Sequence, residues 1–370
     1  MQIPKTMRAA RLHEVDGPMV VDEVDVPVPG DDDILVRIRS CGIVPNLANV
    51  LRFGKFFPDM PLPPRPSIFG LDPAGEIVQL GHRVKGFSLG DRVYVNPMRV
   101  CNSCRECVDG NYTNCAYYTL NGYFGLSPKS KEIFQRYPAG GFAEYMTAPS
   151  YAAVKIPERM SFNEAARLGY TGTGYAGLRR AGVGPASTVL IDGVSGTLGL
   201  GAVISALALG AARILGVARD RTLLEEVKAI APHRIEVRST QEGPIGEWAR
   251  QMTDGEGVDV AIDCLPFGAP PAQFQACLSA IRLGGVMINV SGVIDDITIN
   301  LRDLTSRNIT LKSSNWFEPK YAREMVALVG SGLLNVSIFE HEVFGLDQVD
   351  KAISTTHARH GGFTNYVICP

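Results

Sequence analysis

Short apolar runs broken by turn residues dominate the first 150 positions. Met7–His13, Met19–Val26 and Asp33–Ser40 read as strands separated by Gly/Pro/Asp turns. Pro58–Pro66 carries five prolines and forms a loop, since each proline removes a backbone donor. Two further stretches, IFGLDPAGEIVQLG and FSLGDRVYVNP, repeat the sequence of strand, glycine and strand. Many short strands without a long helix predict a β-rich, partly barrel-like domain.

The pattern changes over Ser187–Asp220. Thr188–Ile191 is a continuous apolar run of the kind that forms a buried strand. It leads into Gly193-x-x-Gly196-x-x-Gly199, then a small-residue helix over Leu200–Leu209 and a second strand over Ile214–Val217. Strand, glycine turn, helix and strand within about thirty residues is the arrangement that holds the diphosphate of a dinucleotide. One glycine makes the tight turn, one admits the backbone to the phosphates and one lets helix and sheet pack, while free N–H groups at the helix start face the anion. Gly193, Ser195, Gly196, Thr197, Leu198 and Gly199 are the candidate contacts. The rival reading is a membrane span, because Gly193–Ala212 carries no charge and about 20 residues cross a bilayer. Five glycines in that window, four of them near its start, favour a turn and a buried helix. Beyond it, Gly257–Cys264 and Val286–Val290 read as buried strands, Asn308–Lys312 as an edge strand and Tyr321–Gly330 as a helix before closing strands.

Composition narrows the function classes. With 370 residues, 45% apolar, 20% charged and a net charge of −2, the chain suits two folded domains. No basic tract extends beyond Arg179-Arg180, which argues against a nucleic-acid partner. The first residues hold no apolar segment of the secretory type, so no signal is expected there. Four of the eight cysteines fall within fifteen residues. Such crowding favours a metal site in a reducing compartment, hence a cytoplasmic protein, over a disulfide framework. The spacing Cys101-x2-Cys104-x2-Cys107-x7-Cys115 allows four thiolates to close a tetrahedron around one zinc, leaving no position for water. Such a site is structural. Two disulfides or four free thiols are the alternatives. The six histidines show no metal spacing.

The cysteine lobe, GDRVYVNP before it, GGFAEYMTAP after it and EAARL…TGYAGL leading into the dinucleotide unit occur in an order that resembles the medium-chain dehydrogenase/reductase superfamily. This is the group of zinc alcohol dehydrogenases and quinone reductases, and the resemblance spans nearly the whole chain. It implies an α/β fold with a Rossmann nucleotide domain and a β-rich GroES-like catalytic domain. Residues 1–155, with the zinc lobe at 96–120, and the return segment 315–370 would form the catalytic domain. Residues 156–314 would bind the cofactor in the cleft between the two. The resemblance also implies a homodimer or homotetramer, paired through the edge strand.

The chain departs from the zinc alcohol dehydrogenases at one decisive place. The three positions that hold their catalytic zinc correspond to Val44, Leu71 and Gly169, none of which ligates a metal. Cys41 stands three residues early. A structural zinc without a catalytic one is therefore expected. GLDPAG resembles the Gly-x-Asp-x-Ala-Gly of zinc-free quinone reductases, as does the longer turn GVSGTLG. Losing the Lewis acid removes several kcal/mol of carbonyl polarisation, which favours activated acceptors. An α,β-unsaturated carbonyl spreads its charge into an enolate that one or two donors can hold, and an iminium is already electrophilic. A plain ketone requires Asn46, Asp72 or Tyr170 to supply the proton or hydrogen bond. Each has an ordinary alternative: a turn residue for Asn46, a capping or arginine-paired acid for Asp72, and packing against the nicotinamide for Tyr170.

Thr173 and Ser291 complete the cofactor set. In an NAD enzyme an acid past the glycines binds the ribose 2′-hydroxyl, but here Ala218 stands at that position, followed by Arg219, Asp220 and Arg221. A missing carboxylate beside guanidinium groups suits the 2′-phosphate of NADP(H). Asp220 leaves NAD open, and a solvated helix start is the plain reading of the arginines. The expectation is an NADPH-dependent reductase of a small activated C=C, C=N or C=O substrate. Its rivals are an alcohol dehydrogenase or carbonyl reductase relying on side-chain donors, and a cofactor-binding protein without turnover.

Overall fold

The computed structural model describes residues 3–52, 57, 59–290 and 292–370. Six parallel strands form one sheet in the spatial order Ile235–Ser239, Arg213–Ala218, Thr188–Asp192, Val258–Asp263, Ile281–Asn289 and Thr310–Ser313. Numbered along the chain this is the order 3-2-1-4-5-6 of a doubly wound dinucleotide fold. The central strands are covered on both faces, which is why their sequences are apolar runs without alternation. Strand order reverses between Thr188–Asp192 and Val258–Asp263, and a ligand crevice opens beyond the carboxyl ends at such a point.

A second sheet of seven strands runs Ala153–Lys155, Arg92–Val95, Asp72–Leu80, Asp33–Gly42, Thr364–Ile368 and Glu340–Phe344, with Tyr145–Pro149 also paired to Asp33–Gly42. Two registers matter for the site. Gly42 lies opposite Asp72 on one side and Val367 on the other. The chain's last strand thus completes the sheet that carries Asp72. The smaller sheet Met19–Asp25, Thr6–Leu12 and Ser67–Ile68 packs into the same core. The α/β architecture anticipated from the sequence is the one observed.

Several details differ from the expectations. The helix after the glycine turn begins at Thr197 instead of Leu200 and runs to Ala208. It is buried and only 12 residues long, and among the described residues no helix is long and apolar enough to cross a membrane. The strand expected at Val286–Val290 is the latter part of Ile281–Asn289, which contains Gly284 and Gly285 and faces a register shift between Val258 and Val260. A helix over Ser130–Arg136 interrupts the strands after the cysteine lobe. The longer helix Leu168–Arg180 packs against Thr197–Ala208. It carries Gly169, Tyr170 and Thr173 to the crevice.

Candidate active site

The glycine turn has the geometry that its spacing requires. Gly193 takes φ +75°, in the region that favours glycine. A Cβ on Gly199 would stand 2.1 Å from the Gly193 carbonyl oxygen, so any side chain there would force turn and helix apart. Gly196 is the N-cap of the helix Thr197–Ala208, and the first N–H groups of a helix have no intrahelical partner. Ser195, Thr197 and Leu198 are buried around the turn, and the Thr197 hydroxyl has no hydrogen-bond partner among the described residues. A backbone that close, with unfilled donors at a helix start, fits a diphosphate. Thr173 is buried on the helix Leu168–Arg180, and its hydroxyl donates to the Gly169 carbonyl of its own helix at 3.1 Å. Ser291 lies outside the described residues.

At the end of the second strand the structure separates three residues that the sequence leaves together. Asp220 is the N-cap of the helix Arg221–Ala229, its carboxylate accepting from the Leu223 N–H at 3.1 Å. That carboxylate is engaged with its own helix. Arg221 pairs with Glu242 at 2.7 Å. Arg219 is exposed and its guanidinium has no hydrogen-bond or ion-pair partner among the described residues.

Across the crevice lies a cluster of polar groups in an apolar wall. Asp72 is buried and accepts a hydrogen bond from the Tyr94 hydroxyl at 2.8 Å. Burial pushes its carboxyl up to about 7, against the opposing effects of Tyr94 and of the positive charge of Arg167. It forms no ion pair with an arginine among the described residues. A Cβ on Gly169 would stand 2.0 Å from Asp72 Oδ1. The missing side chain is the space that the carboxyl occupies. Val44 and Leu71 are buried apolar residues, and Cys41 is buried with its thiol pushed up by burial. The four-cysteine lobe is the one group of three or more metal-ligating side chains that converges among the described residues.

Tyr170, half-buried, lines a small cavity together with Val44, Asp72 and Arg167. Burial pushes its phenol up to about 12, against the opposing influence of Tyr123. It is therefore a neutral donor at pH 7. Tyr123 is buried, and its hydroxyl sits beside Tyr170 and Asn46. Asn46 heads the short helix Leu47–Val50 and accepts from the Asn49 amide at 2.8 Å, as a turn residue would. Asn46, Asp72 and Tyr170 are thus brought to one end of the cleft. Tyr123 and Arg167 belong with them and were not singled out from the sequence. The one local signal for Arg167 was a charge amid the apolar and small residues of EAARLG. Trp316 is buried, with its indole N–H donating to Asn96 Oδ1 at 3.1 Å.

The cysteine lobe lies apart from these residues in the chain. Cys101, Cys104, Cys107 and Cys115 place their sulfurs within 4.8 Å of one another, and all four are free thiols. The Cys101–Cys115 and Cys101–Cys107 sulfurs are 3.6 and 3.9 Å apart. With Zn–S bonds of about 2.3 Å, a tetrahedron has edges of about 3.8 Å. The four residues therefore fit one zinc with no position left over. The backbone N–H groups of Cys101 and Cys104 also point at the sulfurs of Cys115 and Cys101.

Comparisons with known proteins find similar chains along most of the sequence. Residues 30–158 match the model of the alcohol dehydrogenase GroES-like domain, and residues 197–331 match that of the zinc-binding dehydrogenases. L-idonate 5-dehydrogenase of Vitis vinifera is 31% identical over 291 residues, covering 77% of this chain and 74% of that protein. Quinone oxidoreductase-like protein 2 homolog of Nematostella vectensis is 29% identical, covering 94% and 85% respectively. Among solved structures, an NAD-dependent alcohol dehydrogenase superposes with a TM-score of 0.82 at 22% identity, over 98% of this chain and 100% of that one.

Proposed function

The chain belongs to the medium-chain dehydrogenase/reductase superfamily of oxidoreductases, and from that premise we propose that it reduces an activated C=C, C=N or C=O group of a small substrate with NADPH and without a catalytic zinc. The observation that carries this reading is the protonatable Asp72, buried with the apolar Val44 and Leu71 and filling the space beside Gly169, the last three being the positions where the resemblance would put metal ligands. When bound, the nicotinamide supplies the hydride. The residues of the chain supply the rest. The turn Gly193–Gly199 holds the diphosphate through backbone donors. Arg219, unengaged and exposed, takes the 2′-phosphate, while Asp220 caps its own helix and does not compete. Tyr170 gives its phenol proton to the acceptor atom on which charge develops, and the protonated Asp72 is the reservoir that restores it. Asn46 orients the acceptor. Water is excluded by the apolar wall of Val44 and Leu71.

A second reading, carbonyl reduction and its reverse, alcohol oxidation, is favoured by the relative named L-idonate 5-dehydrogenase. The same donors would then serve a ketone. In either case Cys101, Cys104, Cys107 and Cys115 hold one structural zinc. The exposed edge strand Thr310–Ser313 offers unpaired backbone groups for a second copy, so the working form is a homodimer or homotetramer. The test is NADPH oxidation against an enone, a cyclic iminium and a ketone, followed by Tyr170→Phe. Turnover of the enone or iminium with a loss of about 100-fold in kcat in the variant supports the reading. Turnover of the ketone alone supports the second, and no oxidation with any acceptor leaves a cofactor-binding protein.

A further inference from the structure

Two buried carboxyls end neighbouring strands at the foot of the glycine turn, and the proposed chemistry uses neither. Asp192 closes the strand Thr188–Asp192 and precedes Gly193. Asp263 closes Val258–Asp263, and the two acids lie opposite each other in register. Paired residues of adjacent parallel strands project from the same face of a sheet. That face is the one covered by the helix Pro271–Ser279, since Leu190 and Ala261, two residues back along each strand, pack in one cluster with Phe274 and Cys277. Both acids are fully buried. Cys277 Sγ donates to Asp192 Oδ2 at 3.3 Å, while Asp192 Oδ1 has no hydrogen-bond partner among the described residues. Asp263 Oδ1 accepts from the Leu265 N–H at 3.1 Å. The strand ends are locked to the turn. The Cys264 N–H donates to the Asp192 carbonyl at 3.0 Å, and a Cβ on Gly193 would stand 2.9 Å from the Cys264 carbonyl oxygen.

We propose that Asp192 and Asp263 hold one proton between them when the turn is occupied, so that a dinucleotide binds together with a proton. This rests on the reading of Gly193–Gly199 as the diphosphate turn and not on any substrate. Two ionised carboxylates side by side in an apolar site repel each other, and one proton relieves both the repulsion and the cost of burial. Asp192 forms no ion pair among the described residues that would offset its charge. On its other side the neighbouring strand offers Val217 in register, and the helix Ile245–Gln251 adds Ile245, Trp248 and Ala249 to the cluster. The other titratable groups at this level are the thiols of Cys264 and Cys277, both held neutral by burial. Burial, reinforced by Asp263, raises the Asp192 carboxyl to about 7, so this acid changes charge near neutral pH before anything binds. A diphosphate brings negative charge to the turn that Asp192 leads into, which shifts the equilibrium towards the protonated pair. Affinity for the dinucleotide then falls as pH rises above 7, because the proton has to be drawn from a more dilute supply.

The test titrates the full chain with ADP-ribose, whose diphosphate stays ionised through neutral pH and which carries no 2′-phosphate to titrate. Calorimetry at pH 8 in two buffers of different ionisation enthalpy counts the protons exchanged. Uptake of about half a proton or more per chain is expected, with affinity falling by up to about tenfold per pH unit above 7. Asp192→Asn keeps an acceptor for Cys277 and should bind without uptake and without that pH dependence. Binding by the parent with no uptake overturns the proposal, as does unchanged uptake in a folded Asp192→Asn. A second measurement does not need that variant. Infrared difference spectra at pH 8 should gain the C=O band of a protonated carboxyl when ADP-ribose is added, both in the parent and in Asp72→Asn, whose altered residue lies across the cleft. Absence of the band from either protein overturns the proposal. A parent that binds no ADP-ribose refutes the dinucleotide reading itself, and the proposal with it.

Discussion

Replacing Asp72 by asparagine should make the protein more stable at alkaline pH and hardly change it in mild acid. The carboxyl is buried beside Tyr94 and has no cationic partner in contact, and its pKa rises from the ordinary 3.8 to about 7 on folding. A rise of this size is worth about 4 kcal/mol, at 1.36 kcal/mol per pKa unit. The sign follows from which state holds the proton. Well below the ordinary pKa of 3.8 both states are protonated and nothing is lost. Between about 4 and 7 the unfolded chain ionises while the folded one stays neutral, so stability falls with pH. Above 7 the whole cost is present. Asparagine keeps an acceptor for the Tyr94 hydroxyl and carries no charge, so it escapes this slope. Urea unfolding of both proteins at pH 5 and pH 8 should show the gap between them moving by about 3 kcal/mol in favour of Asp72→Asn at pH 8. The buried Asp192, also raised to about 7, contributes the same slope to both proteins and cancels. A gap that moves by less than about 1 kcal/mol would refute the burial argument. If Asp72 also restores the proton, kcat of the parent should fall above pH 7 and that limb should vanish in the variant.

Other expectations concern the cofactor, the lobe and the edge strand. Arg219→Ala should weaken NADPH by about tenfold or more and leave NADH unchanged, measured by fluorescence titration; equal loss for both would remove Arg219 from the 2′-phosphate. Cys104→Ser should release the zinc and lower the thermal midpoint without shifting the KM of the fraction that stays folded, because the site has no open position. Leu311, 40% exposed on the edge strand, becomes a charged edge residue in Leu311→Lys, which should convert a light-scattering mass near twice 39.9 kDa to that of one chain if the edge pairs two copies.

What the sequence revealed and what it concealed follow from how local each constraint is. The glycine turn was legible because a tight turn and a close helix leave residue types no freedom within seven positions. The cysteine lobe was legible because four ligands of one metal lie within fifteen residues. Val44, Leu71 and Gly169 were legible in the sequence as side chains that ligate no metal, but the space requirement at Gly169 was not. That required knowing that the Asp72 carboxyl lies where its Cβ would be. Asp220 could be read as an acid near the ribose or as a cap, and the hydrogen bond from the Leu223 N–H that makes it a cap is visible only in the structure. Arg167 and Gly362 are 195 positions apart, and no local pattern shows that they touch. The buried pair Asp192 and Cys277, 3.3 Å apart beneath the turn, was concealed for the same reason. Helix boundaries shifted where capping, not apolarity, sets the start, as at Gly196.

Hydride transfer in this chain is proposed to need no zinc in the cleft. Its most direct test is the metal content of purified protein that oxidises NADPH with an acceptor, determined by mass spectrometry after exhaustive dialysis. One tightly held zinc per chain, lost in Cys104→Ser, is the result expected from four converging thiols and from Val44, Leu71 and Gly169. Two zincs per chain, with activity following the second, would contradict it.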